Sequence, residues 1–235
     1  MSVILAIDTS TPACSVALNI DGVLLEDFRL APRQHNELIL PMIDQVLTQA
    51  ELTLSQLDAI AFGRGPGSFT GLRIAAGVVQ GLAYGANIPV VPVSTLAALA
   101  LDAYQKHGEA LWLTALDARM GEIYLAGYAI GMDAGTLNVE CILAERVIKP
   151  ADLALLAERY NGVGSGWCYE EILSAKLPQQ PTHIDVNAAP RAACIAELAG
   201  IQFAKGEFVS AYDAVPTYLR DEITWEKQAP RIGKR

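Results

Sequence analysis

The chain has 235 residues, of which 52% are hydrophobic and 18% charged, and its formal net charge is −9. This length accommodates one large domain or two lobes of about 100 residues each. The acidic balance argues against independent nucleic-acid binding, which depends on a basic face that displaces counterions from phosphates.

In chain order, MSVILAIDTS has no basic leader and opens directly into a strand, so no signal peptide is expected. Val3 to Ile7 is the apolar run of a buried strand. Asp8-Thr9-Ser10-Thr11-Pro12 is a turn, and Cys14 to Ile20 is a second strand closed by Asp21-Gly22. Val23 to Leu30 is a third strand. From Asn36 the spacing Leu38, Ile39, Met42, Ile43, Val46, Leu47, Ala50 predicts a helix capped by Asn36, with Pro41 near its first turn. Thr53-x-x-Gln56 has the form of a capping box for a short helix. Ala59 to Phe62 is a strand feeding a glycine-rich turn.

The segment that constrains function most is GRGPGSFTGLRIAAGVVQGLAYG, from Gly63 to Gly85. It reads as a turn followed by a helix over 69–86 that carries Gly77, Gly81 and Gly85 four residues apart. A glycine inside a helix costs about 1 kcal/mol relative to alanine. Three on one face therefore cost roughly 3 kcal/mol, unless something packs so closely that a Cβ would be in the way. The glycines share a face with Ile74 and Val78. The far side carries Leu72, Ala75, Ala76, Val79, Leu82, Ala83 and Ala86, with Arg73, Gln80 and Tyr84 as a polar strip between. A helix with two dry sides in a small domain implies a core on one and a partner on the other.

Val90 to Val93 is a further strand and Thr95 to Tyr104 a further helix. The uncharged run from Ile74 to Leu101 is broken by Asn87, Pro89 and Pro92, so no membrane span is expected there. The opening then recurs: LAIDTSTPACSVALNIDG around Asp8 has a counterpart in TALDARMGEIYLAGYAIG around Asp117, 109 residues later. In each, an apolar strand ends in Asp, a short turn follows, and a second strand runs to a glycine, which indicates two similar lobes. A helix over Pro150–Tyr160, a strand and glycine turn at Gly162–Trp167, a helix over Ala188–Lys205 and a closing YLRDE segment complete the chain. The pattern is that of mixed-sheet α/β lobes. A first lobe over 1–106 and a second over 107–235 are expected, with the helix near 188–205 packing back on the first.

Candidate chemistry is sparse. Asp8-Thr9-Ser10 at a strand end reads either as a phosphate or metal-phosphate loop or as a tight turn in which Asp caps its own backbone. Gly63-Arg64-Gly65-Pro66-Gly67 lacks the Lys-Ser/Thr of a P-loop, and Thr70 stands where a dinucleotide fingerprint needs its third glycine. His35, His107 and His183 are far apart, with no pair on one helix face to bind a metal. His35 precedes the first helix. Gly67-Ser68-Phe69 is only a fragment of a nucleophile elbow. Trp167, after Gly164-Ser165-Gly166, suits a core or hinge aromatic better than an adenine stack. Cys14, Cys141, Cys168 and Cys194 form no CxxC pair and read as reduced, mostly buried thiols of a cytoplasmic protein. The basic tail residues Arg231, Lys234 and Arg235 are expected to fray. No catalytic residue, metal or cofactor is expected.

Six segments resemble the bacterial TsaB (YeaZ) family, the noncatalytic relatives of the TsaD proteins. They are LAIDTSTPACSVAL (5–18), HNELILPMI (35–43), GRGPGSFTGLRIAAGVVQGLA (63–83), PVSTLAALA (92–100), DARMGEIYLA (117–126) and PTYLRDE (216–222). The resemblance implies two RNase-H-like lobes of the superfamily that includes actin, sugar kinases and Hsp70. It also implies a part in making N6-threonylcarbamoyladenosine at position 37 of tRNAs reading ANN codons. In that family TsaD transfers the threonylcarbamoyl group, the ATPase TsaE assists turnover, and TsaB pairs with TsaD, or with itself, through helices of its first lobe. The partner surface expected here comprises His35, Leu38, Met42, Val46, Leu72, Ala75, Ala76 and Val79, the sequence leaving open which dry side of the helix over 69–86 faces the sheet, and tRNA is reached only through the partner. The catalytic relatives carry a histidine pair spaced by four in the segment matching PVSTLAALA, where Thr95 and Leu99 stand in this chain. Neither can hold iron or zinc as imidazole does. A small-molecule kinase or ATPase of the same superfamily, using Asp8, Asp117 and the glycine turns, is the alternative.

Overall fold

The structure is a computed structural model that describes residues 2–133 and 135–220. Its first half forms a sheet of β1 (Val3–Asp8), β2 (Ala13–Ile20), β3 (Val23–Leu30), β4 (Ala59–Gly65) and β5 (Val90–Ser94) in the order β3-β2-β1-β4-β5. The first three strands are antiparallel, and β4 and β5 run parallel to β1. Helices α1 (His35–Gln49), α2 (Phe69–Ala86) and α3 (Thr95–His107) connect them. The second half repeats the plan with β6 (Leu111–Arg119), β7 (Glu122–Asp133), β8 (Thr136–Ile148), β9 (Asn161–Val163) and β10 (Ile184–Asp185), in the order β10-β9-β6-β7-β8. A short α4 (Glu170–Ser174) and a longer α5 (Ala192–Ala204) follow its strands. The recurrence around Asp8 and Asp117 thus marks equivalent hairpins, β1–β2 and β6–β7.

The two-residue period of a strand divides the core. Ile4 and Ala6 of β1 face α3 and α5, which lie between the sheets and meet Leu116 and Ala126 of the second sheet. Leu5 and Ile7 face the other way, onto α1 and α2. A third cluster of Leu113, Leu125, Tyr160, Trp167 and Leu173 covers the outer face of the second sheet. Sandwiched by both sheets, α3 is buried from Thr95 to Ala103. Its buried Asp102 is paired with Lys106 one turn on, at 2.6 Å. Helix α5 packs onto the first sheet: Asn19 Nδ2 donates to Ala196 O at 3.3 Å, and Ala192 N donates to Ser15 Oγ at 3.0 Å.

Several elements depart from the sequence reading. Pro150–Tyr160 is not a helix: a single tight turn at Pro150–Asp152 is followed by irregular chain. Its polar groups bond sideways instead of along an axis, Leu156 N donating to Lys176 O at 2.8 Å and Lys176 Nζ to Ala151 O at 2.9 Å. Leu153 and Tyr160 are anchored in the second-lobe core. Strand β8 was not foreseen. Helix α1 begins at His35, ahead of Asn36, and α5 begins at Ala192, four residues after Ala188. Of the four cysteines, all free, Cys14 and Cys194 are buried but Cys141 and Cys168 are exposed. Arg231, Lys234 and Arg235 lie outside the described residues, as do Asp221 and Glu222 of the closing segment. Among the described residues no helix is long and apolar enough to cross a membrane.

One contact sets the position of α2. Its first turn is seated directly on the β1–β2 turn. Ser68 caps the helix by accepting from Gly71 N, and its own N–H donates to Ser10 O at 2.7 Å. Thr9 Oγ1 donates to Gly71 O at 2.7 Å. A Cβ on Gly71 would lie 1.9 Å from Thr9 O, and one on Gly67 would lie 2.6 Å from Ser10 O. Both neighbours are backbone and cannot rotate away. Gly71→Ala, which would gain helix propensity at an open site, is therefore expected to lose at least about 2 kcal/mol of stability by overpacking. Urea titration reads the sign directly, and an unchanged or raised midpoint would contradict this seating.

Candidate functional site

Helices α1 and α2 lie side by side on the outer face of the first sheet. Leu72, Ala75, Ala76 and Val79 of α2 are buried against that sheet, together with Met42 and Val46 of α1. These six belong to the chain's own core, which corrects their assignment to a partner surface. His35 is also buried. Its Nε2 lies 2.8 Å from Thr11 O and 3.1 Å from Ala13 O, so the ring ties α1 to the β1–β2 turn. Leu38 alone of the expected set stays half-buried at the margin. The physical reason is volume. A sheet face must be filled to native density, and leucine and valine fill it where glycine would leave voids.

The opposite side of α2 is open. Among the described residues, a Cβ on Gly77, Gly81 or Gly85 would meet nothing within 4 Å. On the same helix Ile74 and Val78 are half-buried and Tyr84 is 83% exposed, and on α1 Leu40 is 53% exposed. At 100° per residue, Phe69, Arg73 and Gln80 fall between the core side and the glycine side. That flank is taken by the C-terminal segment, where Gln80 Nε2 donates to Ala214 O at 3.0 Å. The glycine side of α2 is thus a shallow trough in the helix's own surface, where side chains are missing, flanked on the Gln80 side by residues 214–218.

The Asp8-Thr9-Ser10 loop is folded inward. All three residues are buried. Thr9 Oγ1 is given to Gly71, and Asp8 Oδ1 accepts from both Ser10 N and Ser10 Oγ at 3.0 and 2.9 Å. Both hydroxyl donors that a phosphate would need are thus already used within the chain. Among the described residues Asp8 Oδ2 and Thr95 Oγ1 have no hydrogen-bond partner. Both pack against the bare Cα of Gly63, where a Cβ would stand 2.0 Å from Asp8 Oδ2 and 3.3 Å from Thr95 Oγ1. Burial pushes the Asp8 carboxyl from 3.8 up to about 7, against the lowering effect of the two Ser10 bonds. Leu99, four residues beyond Thr95, is fully buried. Among the described residues no three His, Cys, Asp or Glu side chains are grouped to hold a metal ion.

The second lobe places Asp117 differently. It is partly exposed, ion-paired with Arg119 at 3.3 Å, and its N–H donates to Ser165 Oγ at 3.1 Å. Trp167 lies in the core, with Nε1 donating to Leu113 O at 2.8 Å and its ring filling the space left by Gly162. Between the lobes lies a crevice of about 440 Å³ that includes Arg64, Ser94, Tyr128 and Glu145 in its wall. The Glu145 carboxylate accepts from Ser94 Oγ, from Tyr128 OH at 3.0 Å and from Arg64 Nη2 at 3.2 Å, joining strands of both sheets. Burial, then the neighbouring Glu145 charge, holds the Tyr128 hydroxyl well above its ordinary value. Sequence reasoning missed this network because its carboxylate sits on the unforeseen β8.

Comparison with known proteins bears on this arrangement. A family model described as TsaD, tRNA N6-adenosine threonylcarbamoyltransferase, matches residues 28–223. The tRNA threonylcarbamoyladenosine biosynthesis protein TsaB of Haemophilus influenzae is 42% identical over 231 residues, covering 95% of this chain and 96% of its own. Its Escherichia coli counterpart is 41% identical over 228 residues, covering 95% and 97%. The chain belongs to the TsaB (YeaZ) family. The solved structure of YeaZ from Pseudomonas aeruginosa superposes with a TM-score of 0.83 at 43% identity, over 93% of this chain and all of that one. A second P. aeruginosa structure, of a protein described as similar to peptidase YeaZ, gives 0.84 at 44% identity over 94% of this chain. The two-lobed α/β fold read from the sequence is therefore the TsaB fold.

The state of Asp8 in this TsaB-family chain has a measurable sign. With a folded value near 7 and an unfolded one near 3.8, the native state holds its proton more tightly. The stability Asp8 confers is thus fully present below about pH 4, falls as the pH rises to about 7, and is flat beyond. The loss is about 4 kcal/mol. Asp8→Asn, neutral and isosteric, is expected to melt above the wild type at pH 8 by a margin that shrinks towards pH 4. A margin independent of pH in thermal melts would rule out a neutral buried carboxyl.

Proposed function

We propose that this chain is the noncatalytic partner subunit of a TsaD-like transferase in the formation of N6-threonylcarbamoyladenosine on tRNA. It docks through the glycine face of α2 and the adjoining edge of α1. The observation that carries this reading is the trio Gly77, Gly81 and Gly85, open and aligned on a helix whose other sides are already packed. Bare backbone at four-residue spacing lets a second helix approach closely. The names of the H. influenzae and E. coli relatives supply the pathway. The TsaD family model supplies the partner's form, since residues 28–223 include α1, α2 and α5. A partner built on the same elements can present a like face, and like faces pair about an approximate twofold axis. A second copy of this chain offers that face too, so a homodimer competes for it. The acidic chain leaves tRNA to the partner, a TsaE-like ATPase assists turnover, and the complex works in the cytoplasm.

The kinase or ATPase alternative rests on Asp8 and Asp117. Against it stand the internal commitments of Thr9 and Ser10 and the desolvated carboxyl of Asp8, since a metal-phosphate loop works with an ionised, accessible carboxylate. A peptidase role, suggested by the wording attached to one P. aeruginosa structure, is disfavoured by Thr95 and Leu99. Hydroxyl and alkyl side chains stand there in place of metal-binding imidazoles.

Co-purification with the organism's TsaD-like protein, followed by nucleoside analysis after depletion of this chain, tests the proposal as a whole. Transfer of threonylcarbamoyl by the chain alone would refute its noncatalytic part. The glycine face gives a sharper test. Gly77→Ala and Gly81→Ala are each expected to raise the stability of the isolated chain by up to about 1 kcal/mol. The same changes should weaken association with the transferase at least about tenfold. Variants that melt higher and bind unchanged would remove α2 from the interface.

A further inference from the structure

Residues 207–220 form a strap that runs from the edge of the first sheet to the second lobe. Val209 pairs with Val90 at the start of β5, its N–H donating to Val90 O at 2.8 Å. The strap then follows α2 towards that helix's N-terminus, with Ala214 held by Gln80 and Thr217 N donating to Arg64 O at 2.7 Å. It ends on the β6–β7 hairpin, where Arg220 Nη2 donates to Ala118 O at 3.2 Å and pairs with Glu122.

At the mouth of the glycine trough the strap builds an ordered exposed cluster. The Arg73 guanidinium lies over the Phe69 ring at 3.8 Å and donates from Nε to Tyr218 OH at 3.2 Å. The Phe69 and Tyr218 rings are 5.5 Å apart. Phe69 is 49% exposed and Tyr218 44%, so the cluster contributes little to the core. Among the described residues neither Nη group of Arg73 binds an acceptor. Arg73 stands one helical turn before Gly77, and its Cβ leans towards the N-terminus. Stacked on Phe69 and bonded to Tyr218, the guanidinium lies towards the N-terminus of α2, off the glycine floor.

We infer that Tyr218 is a positioning residue for partner docking, holding Arg73 and Phe69 as a rigid guanidinium–aromatic anchor beside the trough. The inference rests on the docking reading above and extends the face from two helices to two helices and a strap. The occupant is a helix of the transferase partner that lays small residues on the glycine floor and presents an acceptor oxygen to the Nη groups of Arg73. Arginine and aromatic side chains held in place before binding are the residue types that dominate interface energetics.

Calorimetric titration of the full chain against the TsaD-like protein, with a parallel thermal melt, tests this. Tyr218→Ala is expected to weaken binding about tenfold or more while the melting temperature changes little. Tyr218→Phe keeps the ring and loses the acceptor, and should fall in between. Arg73→Ala combined with Tyr218→Ala should be no weaker than the worse single variant, because the two act as one unit. Wild-type affinity in Tyr218→Ala, or independent multiplication of the two losses, overturns the inference while leaving the docking face intact. If Tyr218→Ala melts early, Tyr218→Phe decides: wild-type affinity refutes the role, and a loss of about threefold or more supports it. A wild-type chain that does not bind the transferase overturns the docking reading and this inference together.

Discussion

The seating of α2 on the β1–β2 turn governs the rest of the first lobe. Two glycines let helix backbone touch turn backbone, and a serine and a threonine close the hydrogen bonds that the contact leaves open. Once the first turn of α2 is fixed there, the helix can rotate very little. Its Ala75, Ala76 and Val79 must go down into the cluster of Leu5, Ile7, Ile60 and Phe62, and its glycines must go outward. The trough is thus a consequence of a contact at the far end of the helix.

The same contact explains why a loop placed where related folds do chemistry does structural work here. Asp8 ends β1 as Asp117 lies near the end of β6, but the turn after Asp8 has the N-terminus of the long helix α2 pressed directly onto it. Desolvation then favours the neutral carboxyl, and the hydroxyls that follow it bond inward. Asp117 keeps partial exposure and a charged neighbour. One topology, used twice in the chain, has yielded a closed turn and an open one through the packing of a single helix.

Legibility followed the strength of the local pattern. The first two strands and α2 were plain because period-2 and period-3.6 apolar spacings were bounded by turn residues. The doubling of the fold was visible in the Asp8 and Asp117 hairpins. The helix read into Pro150–Tyr160 failed because Leu153 and Tyr160 are claimed by a distant core, and tertiary contact overrides propensity. Strand β8 escaped notice because an edge strand with at most one half-buried face gives a weak signal. Leu72, Ala75, Ala76 and Val79 were read as a partner surface, and are buried in the structure, because periodicity finds two faces without ranking them. Side-chain volume would have ranked them, since Leu72 and Val79 can fill a core and Gly77 and Gly81 cannot.

The ranking bears on function more than any reactive group does. Exposed glycines in a helix are commonly tolerated singly, as accidents of small effect. Three at four-residue spacing on one side of an 18-residue helix together forgo roughly 3 kcal/mol of helix stability, a large share of what a domain of this kind has in hand. A requirement for flexibility does not explain them, because the N-terminal half of the helix is clamped by backbone contact and its flank by the strap. Nor does internal packing, because nothing among the described residues lies within reach of the missing Cβ atoms. A surface that lowers the stability of the isolated chain and gains nothing within it is best explained by what arrives from outside, and a closely approaching helix is the object whose shape requires bare backbone at that interval.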